Sequence, residues 1–227
     1  MSIPDDALRT LPALDAADIE AQIFDGDLLL CSGEHAFSRL IRWATKSPWS
    51  HIAMAMRADA IGRVMVLESV EKIGVRTVPF RTFAFGDEGM RPYPGQIVLA
   101  RHATVAAAPR EQIRQLADFA VDQLGDPFDP VEVLRIAARI TLGKLDQKTP
   151  ALFKRRGEYI CSEYLAACLD QIDVHPPWDG RGFIAPCDFA ADPDVSAIAQ
   201  VRMPSRGRCH HQERPPSRRS GKYRSRG

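Results

Sequence analysis

The feature that most constrains this chain is a pair of short apolar runs that a turn separates. The runs cover residues 51–56 and 64–70, and a glycine-containing segment lies between them. Such a pair predicts an antiparallel β-hairpin. If the hairpin is symmetric about the bond between residues 59 and 60, the numbers of cross-strand partners add up to 119, which places His51 directly opposite Glu68. Directly opposed side chains have Cβ atoms about 4.5–5.5 Å apart, so the Glu68 carboxylate would reach the His51 imidazole.

The alternation of side chains along the first run predicts what surrounds the histidine. His51 shares its face of the strand with Ala53 and Ala55, whereas Ile52 and Met54 point to the other face. The small residues leave room beside the histidine. We therefore expect the end of a helix to approach the sheet on the His51 face.

Spacing of apolar residues predicts the remaining elements. Further strands are expected at residues 23–31, 74–80 and 96–101, helices at 34–45, 109–124 and 131–142, and a short capped turn at 186–190. Neighbouring strands with helices outside them are typical of an α+β domain. The expected fold is a small antiparallel sheet packed against helices.

Residues 157–169 predict a further helix, whose first turn contains Cys161. A thiol in this position faces unpaired backbone N–H groups and the positive end of the helix dipole, and both favour the thiolate. The alternative is a buried structural cysteine, because free cysteine is among the most buried residue types. A cysteine nucleophile also needs a base and a group that orients the base. His51 and Glu68 would supply them, with Glu71 as the competing acid.

The other cysteines are weaker candidates for chemistry. Cys31 lies in an apolar run that predicts a strand core, and Cys187 has no histidine close before it except His175. The Cys209-His210-His211 group lacks the paired spacing of a structural metal site. We therefore expect neither a metal nor a cofactor.

Charge divides the chain into an acidic body and a basic end. Residues 202–227 contain nine Lys or Arg and one acid, a net charge of +8, which leaves −7 on residues 1–201 because the whole chain is +1. The predicted organisation is a lead-in over residues 1–22, a folded domain over 23–202 and a disordered basic tail over 203–227.

The cysteine count and the first residues bear on the compartment. Five cysteines are an odd number, and without regular spacing they indicate reduced thiols. Residues 1–20 contain no apolar leader. Together these features predict a cytoplasmic location.

Six short motifs in a fixed order resemble a known family. They are Gly26-Asp27-Leu28-Leu29-Leu30, Ser50-His51-Ile52-Ala53-Met54, Leu67-Glu68-Ser69, Gly125-Asp126-Pro127-Phe128-Asp129, Tyr159-Ile160-Cys161-Ser162-Glu163 and Ala185-Pro186-Cys187-Asp188-Phe189. In this order the chain resembles the circularly permuted papain-like hydrolases of the YaeF/YiiX type, within the NlpC-type cysteine peptidase superfamily. The histidine strand precedes the cysteine helix in that permuted branch, as it does here.

The resemblance implies a role for each site residue. It implies Cys161 as the nucleophile, His51 as the general base and acid, and Glu68 as the group that orients His51. Tyr159 and the backbone N–H of Cys161 are the candidates for stabilising an oxyanion. Phe128 stands where the family pattern has tyrosine, so a hydroxyl contact from that position is not expected.

The function implied is that of a thiol peptidase or amidase, which hydrolyses an amide or ester bond through a thioester acyl-enzyme. The expected substrate is a small peptide-like or lipid-like molecule, with no dedicated nucleic acid partner and no transmembrane segment, although the tail could contact polyanions weakly. An acyltransferase of the lecithin:retinol acyltransferase type would use the same residues, and an apolar slot beside Cys161 would favour it. A catalytically silent binding module with a closed pocket is the third possibility.

Overall fold

The chain forms a seven-stranded sheet. The computed structural model describes residues 3, 5–86, 92–128, 160–177 and 183–203. The strands are β1 (Ala13–Leu14), β2 (Asp27–Gly33), β3 (His51–Ala58), β4 (Arg63–Val70), β5 (Gly74–Pro79), β6 (Gly95–His102) and β7 (Val195–Val201). Their order across the sheet is β1-β7-β6-β2-β3-β4-β5, and every neighbouring pair is antiparallel except β1 with β7. The sheet is larger than the small antiparallel sheet predicted, because β1 and β7 join it at one edge.

Helices cover the sheet on both faces. They are α1 (Asp5–Thr10), α2 (Ala16–Gln22), α3 (Ala36–Thr45), α4 (Phe80–Phe85), α5 (Ala103–Ala107), α6 (Arg110–Asp122), α7 (Cys161–Asp170) and α8 (Pro186–Ala191). The predicted helices over 34–45 and 109–124 are present as α3 and α6, and the predicted capped turn is α8. The helix predicted over 131–142 lies outside the described residues. No described helix has the length and apolar character needed to cross a membrane.

The two faces of β3 pack against different helices. Ile52 and Met54 share a buried cluster with α7, whereas Ala53 and Ala55 share another with Phe83 and other residues of α2 and α4. The helix end expected on the face of His51, Ala53 and Ala55 is therefore not that of α7, which packs on the opposite face. The aromatic residues of α4 fill the space above the alanines, and the small residues of α7 fit the larger side chains of the other face.

The segment predicted as a loosely held lead-in is packed onto the sheet. Ile19 of α2 is fully buried. The backbone N–H of Gln200 donates to the Pro12 carbonyl at 2.9 Å, and that of Arg202 donates to the Leu14 carbonyl at 2.8 Å. Met203 packs partly buried on the same core, and the rest of the predicted tail lies outside the described residues.

A backbone segment covers the β5 edge of the sheet. The N–H of Val75 donates to the Asp126 carbonyl at 2.8 Å, and the N–H of Gly125 donates to the Val75 carbonyl at 3.0 Å. These bonds satisfy edge groups that would otherwise be open to another strand. Gly74 allows the close approach, because it has φ +88° and a Cβ atom there would overlap the Asp126 carbonyl oxygen.

Gly74→Ala is expected to lower the free energy of unfolding by about 2–3 kcal/mol. An alanine there would be strained in the left-handed conformation, and its Cβ atom would also overlap the backbone of Asp126. Gly62→Ala is the matched control, because Gly62 has φ +60° and a Cβ atom added there would meet no atom within 4 Å. We expect that change to cost about 1 kcal/mol. Urea unfolding of both variants measures the difference. Equal losses would mean that the approach of Asp126 imposes no constraint.

Candidate active site

The hairpin that brings His51 and Glu68 together has a different register from the one predicted. Met54 pairs with Leu67, so partner numbers add up to 121 instead of 119, and the prediction is wrong by two residues. The turn is a 3₁₀ turn over Asp59–Ile61 followed by Gly62 in the left-handed conformation, which moves the centre of the hairpin by one residue. A shift of two residues keeps each side chain on its face. Glu68 is therefore a diagonal neighbour of His51, within reach of long side chains.

Glu68 links His51 to a second basic side chain. Its Oε2 atom lies 2.7 Å from Nε2 of His51. Its Oε1 atom accepts two hydrogen bonds from Arg76, from Nε at 2.9 Å and from Nη2 at 2.7 Å. Arg76 reaches it because the two residues are direct partners across the β4–β5 ladder. Glu68 is only 2 % exposed, so its three hydrogen bonds to His51 and Arg76 fix a buried carboxylate in one orientation.

Cys161 lies on the other side of the imidazole. His51 is the first residue of β3, and there the N-terminus of α7, packed on the opposite face, can reach the ring. Cys161 acts on the His51 ring through its charge and a hydrogen bond, and both residues line the same cleft. Since Nε2 faces Glu68, Nδ1 is the nitrogen left for the thiol.

The charges of the site act on both partners of the histidine. Burial lowers the pKa of His51, but the charge and hydrogen bond of Cys161, and then those of Glu68, outweigh burial and raise that pKa to about 10. Burial raises the pKa of the Glu68 carboxyl, but its interactions with His51 and then with Arg76 outweigh burial and hold that pKa below its usual value. The site therefore stabilises an imidazolium beside the Glu68 carboxylate at neutral pH.

Three hydrogen bonds hold the start of α7. The Glu163 carboxylate accepts from the backbone N–H of Ile160 at 3.4 Å, and the Ser162 hydroxyl donates to the Ile184 carbonyl at 2.8 Å. The Tyr164 hydroxyl donates to the Ala120 carbonyl of α6 at 2.8 Å. The thiol is thus placed by a rigid helix end rather than by a loop.

A cleft of about 330 Å³ opens beside Cys161 and His51. This is within the size range of small-molecule sites. Most of its walls are apolar, and the apolar residues come from α3, β4, α4 and the segments beside α7 and α8: Leu40, Ile41, Ala44, Val70, Phe83, Phe128, Ile160, Phe183, Ile184, Ala185 and Pro186. The cleft can therefore accommodate an apolar group next to the thiol.

Two aromatic residues that sequence reasoning missed complete the wall behind the histidine. Phe83 lies 6.4 Å from His51 between ring centroids, and Tyr93 stacks on Phe83 at 5.8 Å. Burial, followed by the charges of Cys31, Glu68 and Cys161, raises the pKa of Tyr93, so its hydroxyl stays protonated. Tyr93 lies in a Gly- and Pro-containing stretch between the strands predicted at 74–80 and 96–101, where no periodic pattern marks it.

The other candidates from the sequence have different positions. Tyr159 and Cys209 lie outside the described residues. Glu71 is exposed at the rim of the cleft, and the acid that contacts His51 is Glu68. Cys31 is fully buried directly opposite His51 on β2, and burial, followed by the charges of Glu68 and Cys161, raises the pKa of its thiol.

A solved structure has the same fold. The crystal structure of metalloprotein yiiX from Escherichia coli O157:H7, DUF1105, aligns with a TM-score of 0.53 and 18% sequence identity, over 81% of this chain and 99% of that chain. No protein-family model matches the sequence, and no curated protein does. The comparison supports a YiiX-like fold of mixed helices and strands.

Proposed function

We propose that this protein is a cysteine hydrolase that cleaves an amide or ester bond through a thioester acyl-enzyme, in the permuted papain-like arrangement. The observation that supports it most is the placement of His51 between Cys161 and Glu68 at the wall of an open cleft. A nucleophile, a base and a group that orients the base are the parts such a reaction needs. A silent binding module with a closed pocket is less compatible with this geometry.

The acylation step uses the charged pair. The Cys161 thiolate attacks the carbonyl carbon, a C–S bond forms, and the carbonyl π electrons move to the oxygen. Tyr159 and the backbone N–H of Cys161 are the proposed donors to that oxyanion. When the oxyanion collapses, the bond to the leaving nitrogen or oxygen breaks, and His51 gives its Nδ1 proton to the leaving group.

The deacylation step follows from the change in charge. In the thioester Cys161 is neutral, so His51 loses the charge that most raises its pKa and can act as a base. Neutral His51 takes a proton from water, and the hydroxide oxygen bonds to the acyl carbon. The C–S bond then breaks, which releases the acid and restores the thiolate beside a protonated His51.

Acylation is expected to fall above about pH 10, where His51 loses the proton that the leaving group needs. Removing the carboxylate charge in Glu68→Gln lowers the pKa of His51, so this limit should move down by about one pH unit. The pH profile of kcat/KM measures it. Glu71→Gln is the matched control at the cleft rim, and a limit that moves equally in both variants would contradict the role of Glu68.

The apolar walls favour an acyl chain over a charged peptide as the group held next to Cys161. About 0.8 kcal/mol is gained for each buried methylene group, so such a cleft discriminates by chain length. The same observation favours a second candidate, an acyltransferase that passes the acyl group to an amine or alcohol instead of water. The two functions differ only in what attacks the thioester.

The metal implied by the name of metalloprotein yiiX has no matching site among the residues described here. One three-residue group among them, His102, Asp192 and Asp194, has its ligand atoms within 4.8 Å of one another. However, Nδ1 of His102 accepts the N–H of Thr104 at 3.2 Å, so Nε2 carries the ring proton and faces Asp192 at 3.5 Å. Both nitrogens are engaged, and His102 is at the opposite end of β6 from the cleft. The donor set does not fit a metal.

The direct test is trapping of the acyl-enzyme. With p-nitrophenyl octanoate we expect a burst of nitrophenol and an octanoyl adduct on Cys161 by mass spectrometry, and kcat/KM at least about tenfold above that for the acetate. An added alkylamine distinguishes the candidates, since an acyltransferase yields the amide. Cys161→Ser should lose the adduct, whereas Cys187→Ser, at a half-buried cysteine, should keep it. An adduct on another residue, or none, would overturn the proposal.

A further inference from the structure

Helix α3 has two unlike faces. Leu40, Ile41 and Ala44 line the cleft. The opposite side has Arg39, Arg42 and Trp43, at the spacing i, i+3 and i+4 that puts side chains on one helix face. Lys46, the left-handed residue that caps the helix, lines one surface depression with them. We name these four residues the α3 basic face. One helix thus separates the cleft from a cationic surface.

The tryptophan of this face is unusually open. Trp43 is 62 % exposed, whereas Trp49, a few residues later, is 1 % exposed. A shallow depression surrounds Trp43 and is lined by the three basic residues with Ser47 and Pro48. Cations in the last turn of a helix also stabilise its dipole, which accounts for Lys46 and Arg42 but not for an exposed indole.

The basic residues of this face are not neutralised. Arg39, Arg42 and Lys46 have no ion-pair partner within the described ranges, and Arg42 donates only to the Gly33 carbonyl, at 3.3 Å. Some arginines elsewhere on the domain pair with acids, such as Arg81 with Glu20 and Arg101 with Asp27. Arg63 donates instead to the Gly62 carbonyl. In a body of net charge −7, an unpaired cationic face complements an anionic partner.

We infer that the α3 basic face docks the protein on an anionic phospholipid surface. An exposed tryptophan among cations is suited to the membrane interface, where the indole lies at the level of the headgroups and the cations meet lipid phosphates. The other face of the same helix is a wall of the apolar cleft, so docking would place the cleft about one helix diameter, roughly 10 Å, from the membrane surface. This link to the cleft rests on the proposed function, whereas the docking itself does not.

Co-sedimentation of the full chain with vesicles tests the docking. Binding should require phosphatidylglycerol mixed into phosphatidylcholine and should weaken with salt. The variant Arg39→Glu/Trp43→Ala/Lys46→Glu changes only exposed side chains and should lower the partition constant by about a hundredfold. The control Ile61→Ala/Arg63→Glu/Arg110→Glu makes matching changes at exposed residues elsewhere, and should lower it less than about threefold.

Each result separates the docking from the chemistry. Equal binding to neutral and anionic vesicles would overturn the inference. Equal binding by the two variants would also overturn it and would point to the basic tail as the contact. Cys161→Ser should bind vesicles like the parent chain, so an absent acyl-enzyme would refute the proposed function without touching the docking. If both hold, the α3 variant should lose turnover of a long-chain ester held in vesicles but keep that of a soluble short-chain ester.

Discussion

His51→Ala is expected to slow the alkylation of Cys161 by iodoacetamide about thirtyfold near pH 6. An ordinary thiol is only about 0.3 % thiolate at that pH, whereas a thiolate beside an imidazolium persists. The expected difference in alkylation rate is smaller than the ratio of the thiolate fractions in the two proteins, because a thiolate stabilised in this way is intrinsically less nucleophilic. Turnover of an acyl substrate should fall further, by about a thousandfold, since the general acid and base is lost as well.

Alkylation is measured for each cysteine by mass spectrometry in the native chain and in the variant. Cys187, which is half-buried, is the internal reference, and its rate should be the same in both proteins. Cys31 and Cys168 should react slowest, because burial raises the pKa of each thiol. If Cys161 reacts no faster than Cys187 and the variant changes nothing, a binding module becomes the better explanation of this fold.

Asp27→Ala is expected to lower the free energy of unfolding by about 3 kcal/mol or more, because it breaks a buried ion pair. Asp27 is 2 % exposed at the start of β2, and its oxygens accept from Arg101 at 2.7 Å and from the backbone N–H of Phe24 at 2.8 Å. The change leaves the Phe24 N–H without its acceptor and leaves the Arg101 guanidinium with the Gln22 carbonyl, to which Nη2 donates at 2.7 Å. Arg101 also stacks on the Phe24 ring, 3.9 Å from its centroid, so the Asp27 carboxylate helps to hold both Arg101 and Phe24 in place.

Urea unfolding measures that loss against a surface pair. Glu111→Ala removes an acid that bonds Arg114 at 2.9 Å with both side chains more than half exposed, and should cost less than about 0.5 kcal/mol. A loss below about 1 kcal/mol for Asp27→Ala would mean that Arg101 finds other partners. The Gly26-Asp27 motif of the family resemblance is thus structural, since it lies at the far end of β2 from the cleft.

The contact between His51 and Glu68 was predictable even though the register was not. Sequence places the turn between the two strands but does not reveal a 3₁₀ turn that moves its centre by one residue. The contact is still predicted correctly, because a register shift of two residues leaves each side chain on the same face of the sheet. The side on which α7 packs was not predictable. It depends on α4, which covers the alanines and begins at Phe80, where the sequence pattern indicates only the end of a strand.

Arg76 could have been found by the argument that found Glu68. The strands predicted at 64–70 and 74–80 leave three residues between them, and a hairpin centred on residue 72 places Arg76 opposite Glu68, as the ladder does. Tyr93 and the cleft wall from α3 had no such local signal. They reach the site through long-range packing, which single-sequence patterns do not contain.

The position of β7 in the sheet has a consequence for when the sheet can be completed during synthesis. β7 is one of the last described segments of the chain, yet it lies inside the sheet, between β1 and β6. During synthesis, the residues up to Val201 must therefore emerge before the sheet can close. Contacts of such long sequence separation form late in folding. The thiol of Cys161 thus leaves the ribosome after the strands that carry His51 and Glu68 but before β7 completes the sheet.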